Sequence, residues 1–207
     1  MWWHRYQYCR CRRENSSQMY KDVFWADSNL SPSSRIDAGL GLSWVYFKIG
    51  NMNEAIHVGG DVRHLSILHG EYHLPEIEHN LGSYLLTNGQ PDRAVELWER
   101  SLQTFARASQ PAEQANVLES MATYYLMTRD NPDEAENCAK RALELLAAFP
   151  QSPLRARLYR MFGQIEQNRQ HCDQARSWYQ VALSSFALFQ CNEEIRETDD
   201  LLRSLPE

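Results

Sequence analysis

Two periods run through this chain. Apolar residues return at helical spacing, and small residues return at a much longer one. Ala55, Ala94, Ala135 and Ala175 stand about 40 residues apart, each just after a turn and at the opening of an amphipathic run. About a dozen residues before each alanine is a second small residue, Ser43, Gly82, Ala122 or Gly163. A large apolar neighbour precedes each of these: Leu42, Leu81, Met121 or Phe162. Turn signals separate the two small positions, at Gly50-Asn51, Gly89 to Asp92, Arg129 to Pro132 and Arg169 to Asp173. Small residues at facing positions let two antiparallel helices cross closely, where a larger side chain would push the backbones apart. The pattern predicts helix pairs over Ser34–Ile49 with Asn53–Leu68, Pro75–Asn88 with Pro91–Ala108, Pro111–Thr128 with Pro132–Ala148, and Pro153–Asn168 with Cys172–Phe189.

Local signals agree with these elements. Pro75, Pro91, Pro111, Pro132 and Pro153 fall at helix starts, where a missing N–H costs nothing. Asp92, Asp133, Glu134 and Asp173 enrich first turns and suit the helix dipole. The last segment, Asn192–Leu205, reads as one amphipathic helix with Asn192 as its N-cap. Ile195, Leu202 and Leu205 mark an apolar face, and Glu197, Asp199 and Asp200 a polar one. Such a helix is expected to shield the end of a stacked array. At the other end, Ser16, Tyr20 and Val23 fit the second helix of a degenerate hairpin. Its first helix would be Met1–Glu14, with Trp2, Trp3, Tyr6 and Tyr8 covering the first hairpin, meeting an upstream continuation of the array, or docking onto a second copy or another domain.

The alanine and glycine register, with Trp98 and Tyr179 four positions after the alanine and Val62, Ala142 and Ala182 seven after it, resembles the tetratricopeptide repeat. The likeness covers Ile36 to about Gln190. It is strongest in the second and fourth units, while Gly59 replaces the usual aromatic in the first and the third has one extra turn residue. The resemblance implies an all-α fold, a right-handed α-solenoid of antiparallel helix hairpins with a C-terminal capping helix. One domain is expected over 1–207: a truncated hairpin in 1–34, four repeats in 35–190 and the cap in 191–207. The long period is similar to that of sensor and scaffold arrays, including sensor regions of bacterial transcription activators.

Composition narrows the function. The formal net charge of −6 argues against bulk attraction to nucleic acid, and the aromatic and basic run from Arg5 to Arg13 is too local to reverse that. No apolar run is long enough to span a bilayer, and Met1–Arg13 lacks the apolar core of a secretory signal. Five cysteines, an odd number without framework spacing, point to a reducing compartment, and the expected location is cytoplasmic.

Candidate chemistry is sparse. His57, His64, His69, His73 and His79 cluster, yet without the convergent spacing of a metal site. Cys9 and Cys11 are two residues apart, so on a helix the thiols diverge. Gly59-Gly60 has neither the strand nor the lysine of a phosphate loop. No catalytic residue, cofactor or metal is expected.

In the family the first helix of each hairpin lines a concave groove. By that pattern the groove residues are Trp44 and Lys48 in the first unit and His79, Asn80 and Ser83 in the second. The third supplies Glu119 and Thr123, and the fourth Arg157, Arg160, Gln164 and Asn168. Amide and hydroxyl groups there suit an extended peptide or a partner helix, the two arginines suit carboxylates, and Trp44 suits an anchor. The expected function is a non-catalytic protein- or peptide-binding module, a regulatory sensor or scaffold. The alternatives are a homodimerisation element acting through the aromatic N-terminal segment and, more remotely, a repeat-built enzyme such as a phosphatase.

Overall fold

Proline and left-handed turn residues divide the chain where the pattern expects breaks. The computed structural model describes residues 13–25 and 30–206; among them are ten helices and no strand. The helices are α1 (Arg13–Phe24), α2 (Pro32–Lys48), α3 (Met52–Leu68), α4 (Leu74–Thr87), α5 (Pro91–Arg107), α6 (Pro111–Met127), α7 (Pro132–Leu145), α8 (Pro153–Asn168), α9 (Cys172–Leu188) and α10 (Asn192–Arg203). They form the hairpins α2/α3, α4/α5, α6/α7 and α8/α9, with α10 packed against α9.

Several ends differ from expectation, each for a local reason. α2 starts at Pro32 rather than Ser34, because Ser31 caps it by accepting the Ser34 N–H at 3.1 Å. Asn192 is the first helical residue of α10 and not its cap; Cys191 holds the capping position without a side-chain bond. Arg13 and Glu14 open α1, and the rest of the helix expected at Met1–Glu14 lies outside the described residues. α7 ends at Leu145, three residues before Ala148, where the backbone tightens into 3₁₀-type bonds such as Ala147 N to Glu144 O at 3.1 Å.

The chain divides into two compact units, Met1–Ser101 and Leu102–Glu207. In the first, Phe24, Ile36, Leu42, Val58, Val62 and Ile77 form the core, and Tyr20 and Val23 of α1 pack against it. Gly39 of α2 makes this docking possible, since a Cβ there would stand 2.7 Å from the Phe24 ring and 2.2 Å from Val62. Gly82 of α4 is the seat of Trp98 from α5. A Cβ on Gly82 would lie 2.6 Å from the indole nitrogen and 3.1 Å from the Ala94 carbonyl oxygen. Trp98 is 1% exposed, and its N–H donates to the His79 carbonyl at 3.0 Å. Burying a side chain of this size contributes about 3 kcal/mol.

The second unit repeats the device. Tyr179 of α9 lies on Gly163 of α8, where a Cβ would meet the ring at 2.4 Å. Its hydroxyl donates to Gln167 Oε1 at 2.6 Å, and burial pushes the phenol pKa up to about 12. Ile195 of α10 joins Ala156, Ala182 and Phe186, while Leu201, Leu202 and Leu205 close over Ala175 and Tyr179. Ala55, Ala94, Ala135 and Ala175, which set the register, are fully buried.

Candidate functional site

Three helices of the second unit, α6, α8 and α10, border a cleft of about 540 Å³. α6 supplies Glu119, Thr123 and Met127; α8 supplies Arg157, Arg160, Met161 and Gln164; α10 supplies Glu197, Asp200 and Leu201, with Ser204 just past its end. Each contributing set recurs at about three to four positions, so each lies along one helix face. Five of the residues expected in a groove thus meet in one place: Glu119, Thr123, Arg157, Arg160 and Gln164.

The charges in the cleft are largely engaged with one another. Arg157 grips both carboxylate oxygens of Glu119, through Nε and a terminal nitrogen at 2.8 Å each, and also donates to Asn116 Oδ1 at 2.9 Å. Arg160 donates to Glu197 Oε2 at 2.8 Å and lies 5.6 Å from the centre of the Phe186 ring. The arginines expected to hold a partner's carboxylates therefore already hold the chain's own. Thr123 donates its hydroxyl to the Glu119 carbonyl at 3.0 Å. Asn168, the last residue of α8, is exposed outside the cleft lining and donates to Asp130 at 3.0 Å.

The first-unit candidates divide between two helices. On α2 the Lys48 ammonium lies 4.8 Å from the centre of the Trp44 ring, and Trp44 stacks on Phe47 at 5.6 Å. On α4, His79 and Asn80 are half-buried, and Ser83 returns its hydroxyl to the His79 carbonyl at 3.2 Å. Two of the five clustered histidines pair with nearby carboxylates. His57 faces Asp61 at 3.4 Å, and His73 lies 2.8 Å from Glu76 and 3.6 Å from Asp37. Among the described residues no group of three or more histidine, cysteine, aspartate or glutamate side chains is arranged to hold a metal ion. No described helix is long and apolar enough to cross a membrane. The aromatic segment expected to dimerise lies mostly outside the described residues.

Sequence reasoning misses the α10 contribution and Asn116. A usable signal exists. Arg157 and Glu119 are 38 residues apart, Arg160 and Glu197 37, and Asn168 and Asp130 38. Side chains on equivalent helices one repeat apart are spatial neighbours, so opposite charges at that spacing mark pairs. By the same measure α10 stands to α8 as α8 stands to α6.

Paired helices with small residues at their crossings, repeated along the chain, define an all-α helical-repeat protein. The chain belongs to the tetratricopeptide repeat family, whose model matches residues 73–148 and 113–187. Repeats of this family generally mediate protein interactions and are generally not catalytic. No curated protein matches the sequence. Solved structures share the fold. One is BtubC (BKLC) from P. vanneervenii, with a TM-score of 0.69 and 18% identity over 87% of this chain and 75% of that one. Another is a putative kinesin light chain with nearly identical TPR-like repeats from Podosopora anserina, with a TM-score of 0.66 and 19% identity over 89% and 93%. A third is a signal transduction ATPase with numerous domains (STAND) that carries a tetratricopeptide repeat sensor, from Pyrococcus horikoshii. Its TM-score is 0.74 at 13% identity, with 93% of this chain aligned to 30% of that one. The α-solenoid of antiparallel hairpins expected from the sequence is the fold class these structures share.

Proposed function

We propose that the chain is a non-catalytic binding module that recruits a protein or peptide, as the sensor or scaffold portion of a cytoplasmic regulator. The observation that carries this reading is the cleft between α6, α8 and α10, which combines an apolar base with polar groups on three helices. Met161 is buried at 5% exposure while Met127 stands 61% exposed at the rim. Methionine adapts to varied apolar partners, and charged groups around it give a bound segment its orientation. The tetratricopeptide repeat sensor in the STAND protein is a precedent for such repeats in a regulator. The odd cysteine count supports a reducing compartment.

The test uses the full chain as bait in a lysate of its source cells, with Met127→Lys and Asp200→Lys in the cleft and Asn80→Ala in the first unit. Specifically retained proteins should be lost with the two cleft variants, and Asn80→Ala should reveal whether α4 contributes. Retention of the same proteins by both cleft variants would refute a role for this cleft.

A further inference from the structure

We propose that the cleft between α6, α8 and α10 takes a basic peptide segment, one that presents a lysine or arginine side chain beside an apolar one. This rests on the binding-module reading above and specifies the chemistry of its partner.

The polar groups that remain open in the cleft decide what it can hold. Of the two guanidinium groups in the lining, Arg157 is engaged by Glu119 and Asn116, and Arg160 by Glu197. An acidic partner would have to displace one of these internal carboxylates to reach an arginine, exchanging one charge-assisted bond for another and gaining little. The carboxylates are in excess, three against two guanidinium groups. Asp200 is exposed in the cleft and has no side-chain hydrogen bond or ion pair with the described residues. Glu197 gives one oxygen to Arg160 and stays 57% exposed. Gln164 brings an amide with no partner among the described residues. What the cleft offers is therefore acceptor capacity carrying negative charge. Lysine and arginine are its complement, since they have donors and no acceptors.

The apolar part of the lining fixes the second feature of the ligand. Met127, Met161 and the half-buried Leu201 lie in the same cleft as Asp200. They suit the alkyl stem of a cationic side chain and an apolar neighbour on the same peptide. The chain's net charge of −6 adds a field that draws a basic segment in.

The experiment uses the full chain and a short fluorescein-labelled peptide of lysine, alanine and leucine, against the same peptide with glutamate in place of lysine. Binding is read by fluorescence anisotropy at low and moderate salt. The lysine peptide should bind and weaken as salt rises. Asp200→Asn should reduce its affinity about tenfold, the loss of one charged hydrogen bond. Glu144→Lys, an exposed position on α7 outside the lining, changes the net charge by more than Asp200→Asn and should leave affinity within about twofold. Circular dichroism of each variant checks the fold. Equal losses from Asp200→Asn and Glu144→Lys would reduce the effect to diffuse attraction and overturn the proposal. Preference for the glutamate peptide, abolished by Arg160→Glu, would overturn the basic specificity while leaving the binding-module reading intact. Binding of neither peptide, together with partner capture that ignores the cleft variants, would remove both.

Discussion

The two units seat an aromatic ring on a glycine in the same way but use their charges differently. Trp98 on Gly82 and Tyr179 on Gly163 are equivalent contacts, each ring polar-bonded to its own hairpin. In the first unit the most buried acid is Glu78 of α4, 2% exposed. Arg63 holds its Oε1 at 2.9 and 3.0 Å, and Arg100 holds the same oxygen at 2.9 Å. In the second unit the Arg157–Glu119 and Arg160–Glu197 pairs line an open cleft, while Arg169 ties Asp133, Glu136 and Glu166 together outside it. Periodic positions thus set the packing, and the polar positions between them can either lock a hairpin or face a partner. Substitutions separate the two uses.

The largest effects should be shared by both units. Trp98→Ala and Tyr179→Ala should each cost about 3–5 kcal/mol, because each empties a seat that backbone cannot fill. Urea unfolding of the full chain reads this from the shift in midpoint. Tyr179→Phe removes one hydrogen bond and should cost about 1 kcal/mol, whereas Trp98→Phe also removes part of the ring and should cost about 2–3 kcal/mol. A large difference between the two alanine variants would break the equivalence of the seats.

Next come the charged pairs, where the units should part. Arg63→Met leaves Glu78 buried with only the more exposed Arg100 and should cost about 2 kcal/mol. Glu119→Gln weakens a pair at an open cleft and should cost less than about 1 kcal/mol. Equal losses would mean that the cleft pair is structural too, and would weaken the case for a partner there.

The seats are legible in the sequence because they repeat. Ala94 with Gly82 and Ala175 with Gly163 fall at the crossings the register predicts. Glycine lowers helix stability by itself, so its return at the same register position in the second and fourth repeats points to close packing. The groove side is legible only as a set of positions. That Arg157 is taken by Glu119 depends on contact between equivalent helices one repeat apart, which no window of a few residues reports. From sequence the acidic face of α10 reads as solvated, since amphipathicity says which residues are polar and not which neighbouring helix they meet. Asp200 and Glu197 are cleft residues only because α10 takes its place beside α8.

The turns give a smaller contrast. The left-handed residue that ends the first helix of a hairpin is Gly50 or Gly89 in the first unit, and Asp130 or Gln170 in the second. Glycine takes φ of 80° or 72° without penalty, whereas glutamine at 65° suffers its Cβ contact with the carbonyl. Gln170→Gly should therefore stabilise the chain by about 0.5–1 kcal/mol, the relief of strain less the added freedom of the unfolded chain. Thermal unfolding should show a rise of a few degrees, and a fall would mean that the Gln170 side chain contributes more than its backbone costs.

The finest test reads the second unit alone, because the described part of the first contains no cysteine. Cys138 sits on α7 at 3% exposure, and burial pushes its thiol pKa up to about 11. At pH 8 only about one thiol in a thousand would then be the reactive thiolate, before any steric protection. Cys172, half-buried at the start of α9, should be alkylated by iodoacetamide well before Cys138, with peptide mass spectrometry following each site. Labelling of Cys138 requires α7 to open, so its rate measures opening of the second unit more directly than it measures thiol chemistry. Tyr179→Ala, which loosens the α8/α9 hairpin packed beside α7, should quicken Cys138 labelling while leaving Cys172 nearly unchanged. If Cys138 stayed as slow in that variant, α7 would be held independently of the Gly163 seat, and each hairpin, not the unit, would be the element that opens.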